Sequence, residues 1–212
     1  FVVAEAKVDD EVFIDRATFA MLPPRKASGV DRESPFAIAA MIARPDVFID
    51  QFPLQTVAAH AERVGIRRVR TSMAPLGSSS MAVTPELARE RFEILQQYGI
   101  ALHAQIGSDG VLALKDQIET GIKDYMQTHG VDMFREVEVG NELNYKMSGK
   151  EYVDTVLAPS TRAIRAAAPD ATILSLGLGG VFPKWVNEFI EANGFDHIDV
   201  LSVHPSGFPR SP

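Results

Sequence analysis

Residues 134–145 read Phe-Arg-Glu-Val-Glu-Val-Gly-Asn-Glu-Leu-Asn-Tyr. A largely apolar run ends here in a cluster of polar side chains, which is typical of a buried strand whose carboxyl end opens into a cleft. Other short apolar runs occur along the chain, and longer segments with helical periodicity separate them. This alternation predicts an α/β fold with a parallel sheet.

Six apolar runs are predicted as strands, and their near-continuous apolar character is expected of strands buried on both faces. They span residues 36–42, 66–72, 100–106, 134–140, 172–178 and 198–204. Helices are predicted between them over residues 54–64, 85–98, 112–128, 152–168 and 183–192, with a kink or break at Pro159. Periodicity alone fits either an open doubly wound sheet or part of an eightfold barrel. The first strand is not followed by Gly-x-Gly-x-x-Gly or a phosphate loop, which disfavours the nucleotide-binding version.

The first part of the chain differs in character from the rest. Residues 1–30 contain a β-rich stretch followed by Pro23-Pro24 and a polar segment, and they are predicted to be the tail of a preceding β domain, or an accessory strand, plus a linker. Residues 31–212 are predicted to form a partial barrel domain. The sequence begins without Met and stops in a predicted loop, so we expect it to be part of a longer polypeptide.

Composition excludes several classes of partner. The net charge is −7 and no run of Lys and Arg is present, which predicts that the protein does not bind nucleic acid. No apolar run is long enough to span a bilayer, so no membrane association is predicted. The chain has no Cys and no His-x-x-x-His spacing, and we therefore predict no metal and no cofactor.

The segment Val139-Gly140-Asn141-Glu142-Leu143-Asn144 resembles the fourth-strand motif of the clan A glycoside hydrolases. The resemblance implies a retaining (β/α)8 TIM barrel of which the first six βα units are present. It implies that Glu142 is the general acid/base and that Asn141 binds a sugar hydroxyl. Arg70 resembles the second-strand Arg that supports the nucleophile, and His204 resembles the sixth-strand His that precedes Pro. The expected activity is therefore hydrolysis of a β-linked glycoside with retention.

Retention needs a second carboxylate, and the resemblance implies a Glu at the end of the seventh strand, beyond residue 212. Glu136 and Glu138 precede the motif on the same strand, and neither is expected to replace it. We therefore expect these 212 residues alone to be inactive, with the remaining barrel strands supplied by the same longer chain or by another chain.

Asn144 and Tyr145 follow Glu142 closely enough to line the same cleft, and contact with a carbohydrate substrate or an ordinary loop role both remain open. His103 lies within the third predicted strand and is expected to be a core histidine. Two alternatives to the enzyme remain open as well. One is a catalytically inactive barrel that binds carbohydrate or acts as a scaffold, and the other is an unrelated barrel enzyme that acts on phosphorylated substrates.

Overall fold

A computed structural model describes residues 2–8, 11–17, 37–39, 53–72 and 84–204 of the chain. The chain divides into two compact units, Phe1–Val30 and Asp31–Pro212. In the first unit, strand β1 (Val2–Val8) pairs with strand β2 (Glu11–Ala17) in an antiparallel ladder.

The second unit is built on a parallel sheet of five strands that neighbour one another in sequence order. The strands are β3 (Ala37–Ala39), β4 (Arg68–Ser72), β5 (Ala101–Ile106), β6 (Glu136–Val139) and β7 (Thr172–Leu174). Every adjacent pair is parallel, and helices separate β3 from β4 and each later pair along the chain. The predicted α/β class with a parallel sheet is therefore confirmed.

The last two predicted strands, at 172–178 and 198–204, are wrong in extent. The first ends at Leu174, after which the separate short strand β8 (Leu178–Gly179) pairs in parallel with β9 (Val203–His204). Ser175 gives the physical reason, because its hydroxyl accepts the backbone N–H of Ser202 in place of a carbonyl. Single bridges from Asn141 to Gly177 and from Leu174 to Val200 connect these short strands to β6 and β7.

Seven α-helices are present in the part of the chain that the structure describes. They are α1 (Leu54–Arg63), α2 (Pro85–Gln97), α3 (Ser108–Leu114), α4 (Ile118–His129), α5 (Gly149–Tyr152), α6 (Ala158–Ala167) and α7 (Pro183–Glu191). None of these helices could cross a membrane, being too short or too polar.

Two helix predictions need correction. The single helix predicted over 112–128 is α3 and α4, which a 3-10 turn at Lys115–Gln117 separates. The helix predicted over 152–168 begins earlier, at Gly149, because the Ser148 side chain accepts the backbone N–H of Glu151 and caps its first turn.

Pro159 does not break this helix. A π-helical segment, Val153–Leu157, joins α5 to α6 immediately before it. Proline has no N–H to donate, and its ring crowds the carbonyl four residues earlier. The wider π turn accommodates that ring, so the chain stays helical from Gly149 to Ala167.

The two faces of the sheet have opposite character from β4 to β6. On one face, Val69, Leu102, Ala104, Val137 and Val139 are buried in the same apolar core as the helices. The other face carries polar and charged side chains, namely Arg68, Arg70, His103, Gln105, Glu136 and Glu138. The expectation of strands that are apolar on both faces is therefore wrong for this part of the sheet.

Candidate functional site

The polar sheet face is organised around the carboxylate of Glu138, whose side chain is 0% exposed. Arg70 donates to both of its oxygens, from Nε to Oε2 at 2.9 Å and from Nη2 to Oε1 at 2.5 Å. His103 Nε2 lies 3.1 Å from Oε2, and Gln105 donates to Oε1 at 3.3 Å. The hydroxyl of Ser202 donates to Oε2 at 3.5 Å. Strands β4 and β5 and the chain before β9 therefore all supply partners to one carboxylate on β6.

These partners keep Glu138 ionised. Burial alone raises the pKa of a carboxyl group, but the hydrogen bonds from Arg70 and His103, together with their charges, outweigh burial and lower the pKa of Glu138 to about 2. A carboxylate with this pKa carries no proton near neutral pH. It can act as a fixed negative charge and as a hydrogen-bond acceptor.

Asn141 lies just beyond the end of β6 and joins the same network. Its Oδ1 accepts one hydrogen bond from Arg70 Nη2 and one from Gln105 Nε2, each at 2.9 Å. The backbone of Asn141 is also held, because the Ser108 hydroxyl accepts its N–H at 2.7 Å and donates to its carbonyl at 2.6 Å. Both the backbone and the amide oxygen of Asn141 are therefore fixed.

Glu142 follows in a left-handed backbone conformation, with φ of 53°. Such a conformation is uncommon for a residue with a Cβ and is often found at functional sites. The backbone N–H of Glu142 donates to Gly177 O at 3.0 Å, which ties this turn to the segment before β8. The turn directs the Glu142 side chain to His204, whose Nδ1 lies 2.9 Å from Oε1.

The contact between Glu142 and His204 can take either protonation state. An Nδ1–H group would donate to the carboxylate, whereas an unprotonated Nδ1 would accept from the carboxylic acid. The Glu142 side chain is 35% exposed, so solvent or a ligand can reach it. Gly177 makes room for the imidazole, since a Cβ there would lie 2.2 Å from His204 Nε2.

Asn144 and Tyr145 border this site on the side of β8. Asn144 Oδ1 accepts the backbone N–H of Gly179 at 3.0 Å, and the Tyr145 hydroxyl donates to the carbonyl of Gly179. The Tyr145 ring is 62% exposed and packs edge-to-face against Phe182, with 5.7 Å between centroids. An exposed aromatic ring held in this way offers a surface on which a sugar ring could pack.

Each of the six residues that the sequence singles out makes a contact in this part of the fold, Arg70 from within β4 and the others from the chain after β6 or from β9. Arg70 contacts Asn141, Glu142 contacts His204, and the remaining two, Asn144 and Tyr145, contact β8. The resemblance assigns Arg70 to a nucleophile, but among the described residues its carboxylate partner is Glu138.

Sequence reasoning missed three members of the network, which are Glu138, His103 and Gln105. The expectation of a satisfied core histidine at position 103 agrees with its largely buried ring, but the sequence did not identify its partner, the buried carboxylate of Glu138. The sequence does contain a signal for this polar face. His103 and Gln105 are two residues apart on one strand, as Glu136 and Glu138 are on the next, with apolar residues between them. Polar residues two apart on adjacent strands share one sheet face.

Within the described ranges, no group of three or more His, Asp or Glu side chains could hold a metal ion. The acidic groups of the sheet face are instead paired with arginines, Glu136 with Arg68 and Glu138 with Arg70. Comparison of the chain with models of protein families and with curated proteins gave no match. The chemistry of the site has to be inferred from the residues themselves.

Proposed function

We propose that the protein is a glycoside hydrolase that cleaves a β-linked glycoside with retention, with Glu142 as general acid/base. The observation that supports this most is the hydrogen bond between Glu142 and His204, 62 residues apart, beside an Asn141 that Arg70 holds in place. The four residues to which the resemblance assigns roles thus form two contacting pairs, which the neighbouring Asn141 and Glu142 join. The carboxyl ends of parallel strands are where barrel enzymes carry their reacting groups.

The proposed acid/base needs one oxygen free for the substrate. The Oε1 atom of Glu142 contacts His204, while Oε2 has no hydrogen-bond partner among the described residues. In the first step Oε2 would donate its proton to the glycosidic oxygen, and in the second step the carboxylate would take a proton from water. The nearby imidazole of His204 can form a hydrogen bond with Glu142 in both states.

The nucleophile is a separate question, because a retaining mechanism needs a second carboxylate about 5–5.5 Å from the first. Glu138 is unsuited to that role: it is wholly buried, and several donors already occupy both of its oxygens. The proposal therefore assigns the nucleophile to a Glu beyond residue 212, as the resemblance implies.

We propose further that the parallel sheet belongs to a (β/α)8 barrel. The support is the strand order, because β3 to β7 neighbour one another in sequence order with no reversal. A doubly wound sheet has a point at which the strand order reverses. A crystal structure of the protein that contains this chain tests the proposal: β3 should pair with a further parallel strand, and a free edge at β3 would contradict a closed barrel.

Glu142→Gln is the variant that tests the function, in the protein that contains this chain. Hydrolysis of an aryl β-glycoside with a poor leaving group should fall by at least about 100-fold, because general acid catalysis is lost. Azide should restore turnover of a substrate with an activated leaving group, since that substrate needs no acid and azide needs no base. The matched control is Glu191→Gln, an exposed residue of α7.

Unchanged hydrolysis in the Glu142→Gln protein would refute the acid/base assignment. Binding of oligosaccharides by a wild-type protein that hydrolyses none of them would instead support the alternative of an inactive carbohydrate-binding barrel. Exposed Tyr145 is the observation that favours this alternative, because an aromatic surface serves binding without catalysis.

A further inference from the structure

We propose that Glu138 is a positioning residue that sets the orientation of the Asn141 side-chain amide through Gln105 and Arg70. In this orientation the amide oxygen faces the network and the NH2 group is left for a ligand. The inference rests on the proposed function only for the nature of that ligand, a sugar hydroxyl.

The two terminal atoms of an amide side chain differ in their hydrogen bonds and hardly at all in shape. The oxygen and nitrogen of Asn have nearly the same shape, so hydrogen bonds decide which of them points in a given direction. Arg70 Nη2 and Gln105 Nε2 both donate to Asn141 Oδ1 at 2.9 Å. A flipped Asn141 would place its NH2 group against two other donors, which is unfavourable.

The amide of Gln105 could flip as well, so something must also fix its orientation. Gln105 is buried, and its Nε2 is shared between Asn141 Oδ1 at 2.9 Å and Glu138 Oε1 at 3.3 Å. An ionised carboxylate only accepts hydrogen bonds, and so it requires the NH2 group of Gln105 to face it. Arg70 needs no such control, because a guanidinium has donors only. The acceptor-only Glu138 thus fixes the orientation of the Gln105 amide, and its two hydrogen bonds with Arg70 hold the guanidinium in place. Both donors to Asn141 Oδ1 are therefore positioned by Glu138.

Glu138→Gln removes this control over the orientation of the amides. The introduced side chain has nearly the same shape, but one of its two terminal atoms is a donor and must face Arg70, Gln105 or His103. Arg70 then loses one of the two acceptors that hold it, and the Gln105 amide can adopt either orientation, so both donors to Asn141 Oδ1 are less firmly placed. We expect Glu138→Gln to lower kcat/KM about tenfold or more, on the scale of one lost hydrogen bond to a charged group.

A double-mutant cycle in the protein that contains this chain separates positioning from a general structural effect. In the wild-type background, Glu138→Gln should lower kcat/KM for an aryl β-glycoside about tenfold. In the Asn141→Ala background the same substitution should lower it less than about twofold, because the amide through which Glu138 acts is gone. Equal losses in the two backgrounds would overturn the proposal.

Two further variants keep the test decisive. Glu119→Gln is the control, since Glu119 is an exposed carboxylate of α4 that pairs with Arg162 at 3.0 Å. It should leave kcat/KM unchanged. Gln105→Met replaces Glu138→Gln in the test if the latter protein fails to fold. It keeps the ion pair of Arg70 with Glu138 and removes the NH2 group that Glu138 and Asn141 share. A Gln105→Met protein with wild-type kcat/KM would also overturn the proposal.

A measurement that does not depend on catalysis separates this inference from the proposed function. With ¹⁵N-labelled asparagine, the side-chain NH2 signals of Asn141, assigned by their loss in Asn141→Ala, should shift or broaden in Glu138→Gln and in Gln105→Met. They should stay in place in Glu119→Gln. Unchanged signals in Glu138→Gln would overturn the positioning role even in an active enzyme. Shifted signals in a protein that hydrolyses no glycoside would uphold it while the proposed function fails.

Discussion

Replacing Arg70 with methionine removes the main partner of the buried Glu138 carboxylate and keeps an unbranched apolar chain in place of the aliphatic part of the arginine. Arg70 supplies two hydrogen bonds and the countercharge, so the variant leaves a wholly buried carboxylate with weaker partners. The pKa of Glu138 is about 2 in the folded protein, against about 4.3 for an ordinary Glu, and this difference corresponds to roughly 3 kcal/mol. Breaking a buried ion pair by removing one partner costs about 3–5 kcal/mol. We expect Arg70→Met to lower the free energy of unfolding at pH 7 by that amount.

The pH dependence gives a second, independent expectation. In the wild-type protein the folded pKa of Glu138 lies below the unfolded value, so the stabilisation is complete above about pH 4.3 and is lost as the pH falls towards about 2. In Arg70→Met the arginine no longer opposes burial, which raises the pKa of Glu138. Protonation then relieves the buried charge. The stability difference between the two proteins should therefore shrink as the pH is lowered from 7 to 4.

Urea unfolding of both proteins at several pH values measures this difference. The control is Arg162→Met, whose partner Glu119 lies 3.0 Å away with both side chains more than half exposed. An exposed pair of this kind contributes at most about 1 kcal/mol. A loss below about 1 kcal/mol in Arg70→Met at pH 7, or a difference that grows on acidification, would refute the reasoning.

Three smaller changes test other contacts. Tyr152→Phe should lower the free energy of unfolding by about 1–3 kcal/mol in urea titrations, because the buried hydroxyl joins the backbone carbonyl of Val139, at the end of β6, to the backbone N–H of Leu176, after β7. An unchanged free energy of unfolding would contradict that bridge. Gly177→Ala places a methyl carbon 2.2 Å from His204 Nε2. If the proposed function holds, hydrolysis of an aryl β-glycoside should fall while the melting temperature stays near wild type, and full activity would argue against a role for His204. Gly149→Ala brings its methyl within 2.2 Å of Trp185 O, and calorimetry should show a loss of about 1–3 kcal/mol as α5 and α7 separate; a wild-type melting curve would contradict their close packing.

Local signals in the sequence predict some elements well. Helix α2 begins at Pro85 after the cap Thr84, whose hydroxyl accepts the backbone N–H of Leu87, and it ends before Gly99, which has φ of 65°. Each of these signals lies within a few residues of the boundary that it sets. The alternation of strand and helix predicts the α/β class for the same reason.

Other elements depend on partners far along the chain, and periodicity does not reveal them. The strand that begins at Thr172 ends early because Ser175 accepts a hydrogen bond from Ser202, 27 residues later. The π-helical segment before Pro159 is a response of the helix to that proline, and the sequence predicts a disturbance there without its form.

The candidate site shows the same division. Position alone identifies Asn141 and Glu142, because polar residues directly after a buried strand face a cleft. Glu138 lies within the strand and not at its end, so its position does not predict a role. The network around it joins residues 33 to 68 positions apart, which local patterns do not reveal. Its partners His103 and Gln105 can be predicted only by comparing polar residues spaced two apart on adjacent strands.

Glu138 and Glu142, four positions apart, illustrate how the surroundings divide the roles of two identical side chains. Glu138 is buried among donors from three other segments and stays ionised, so it can orient neighbours but cannot deliver a proton. Within the described residues Glu142 has one side-chain partner, the titratable imidazole of His204, and it is open to a ligand. Under the proposed function, proton transfer is assigned to Glu142 and orientation of the neighbouring amides to Glu138. On this division, Glu138→Gln should impair catalysis only while Asn141 is present, whereas Glu142→Gln should impair it in any background.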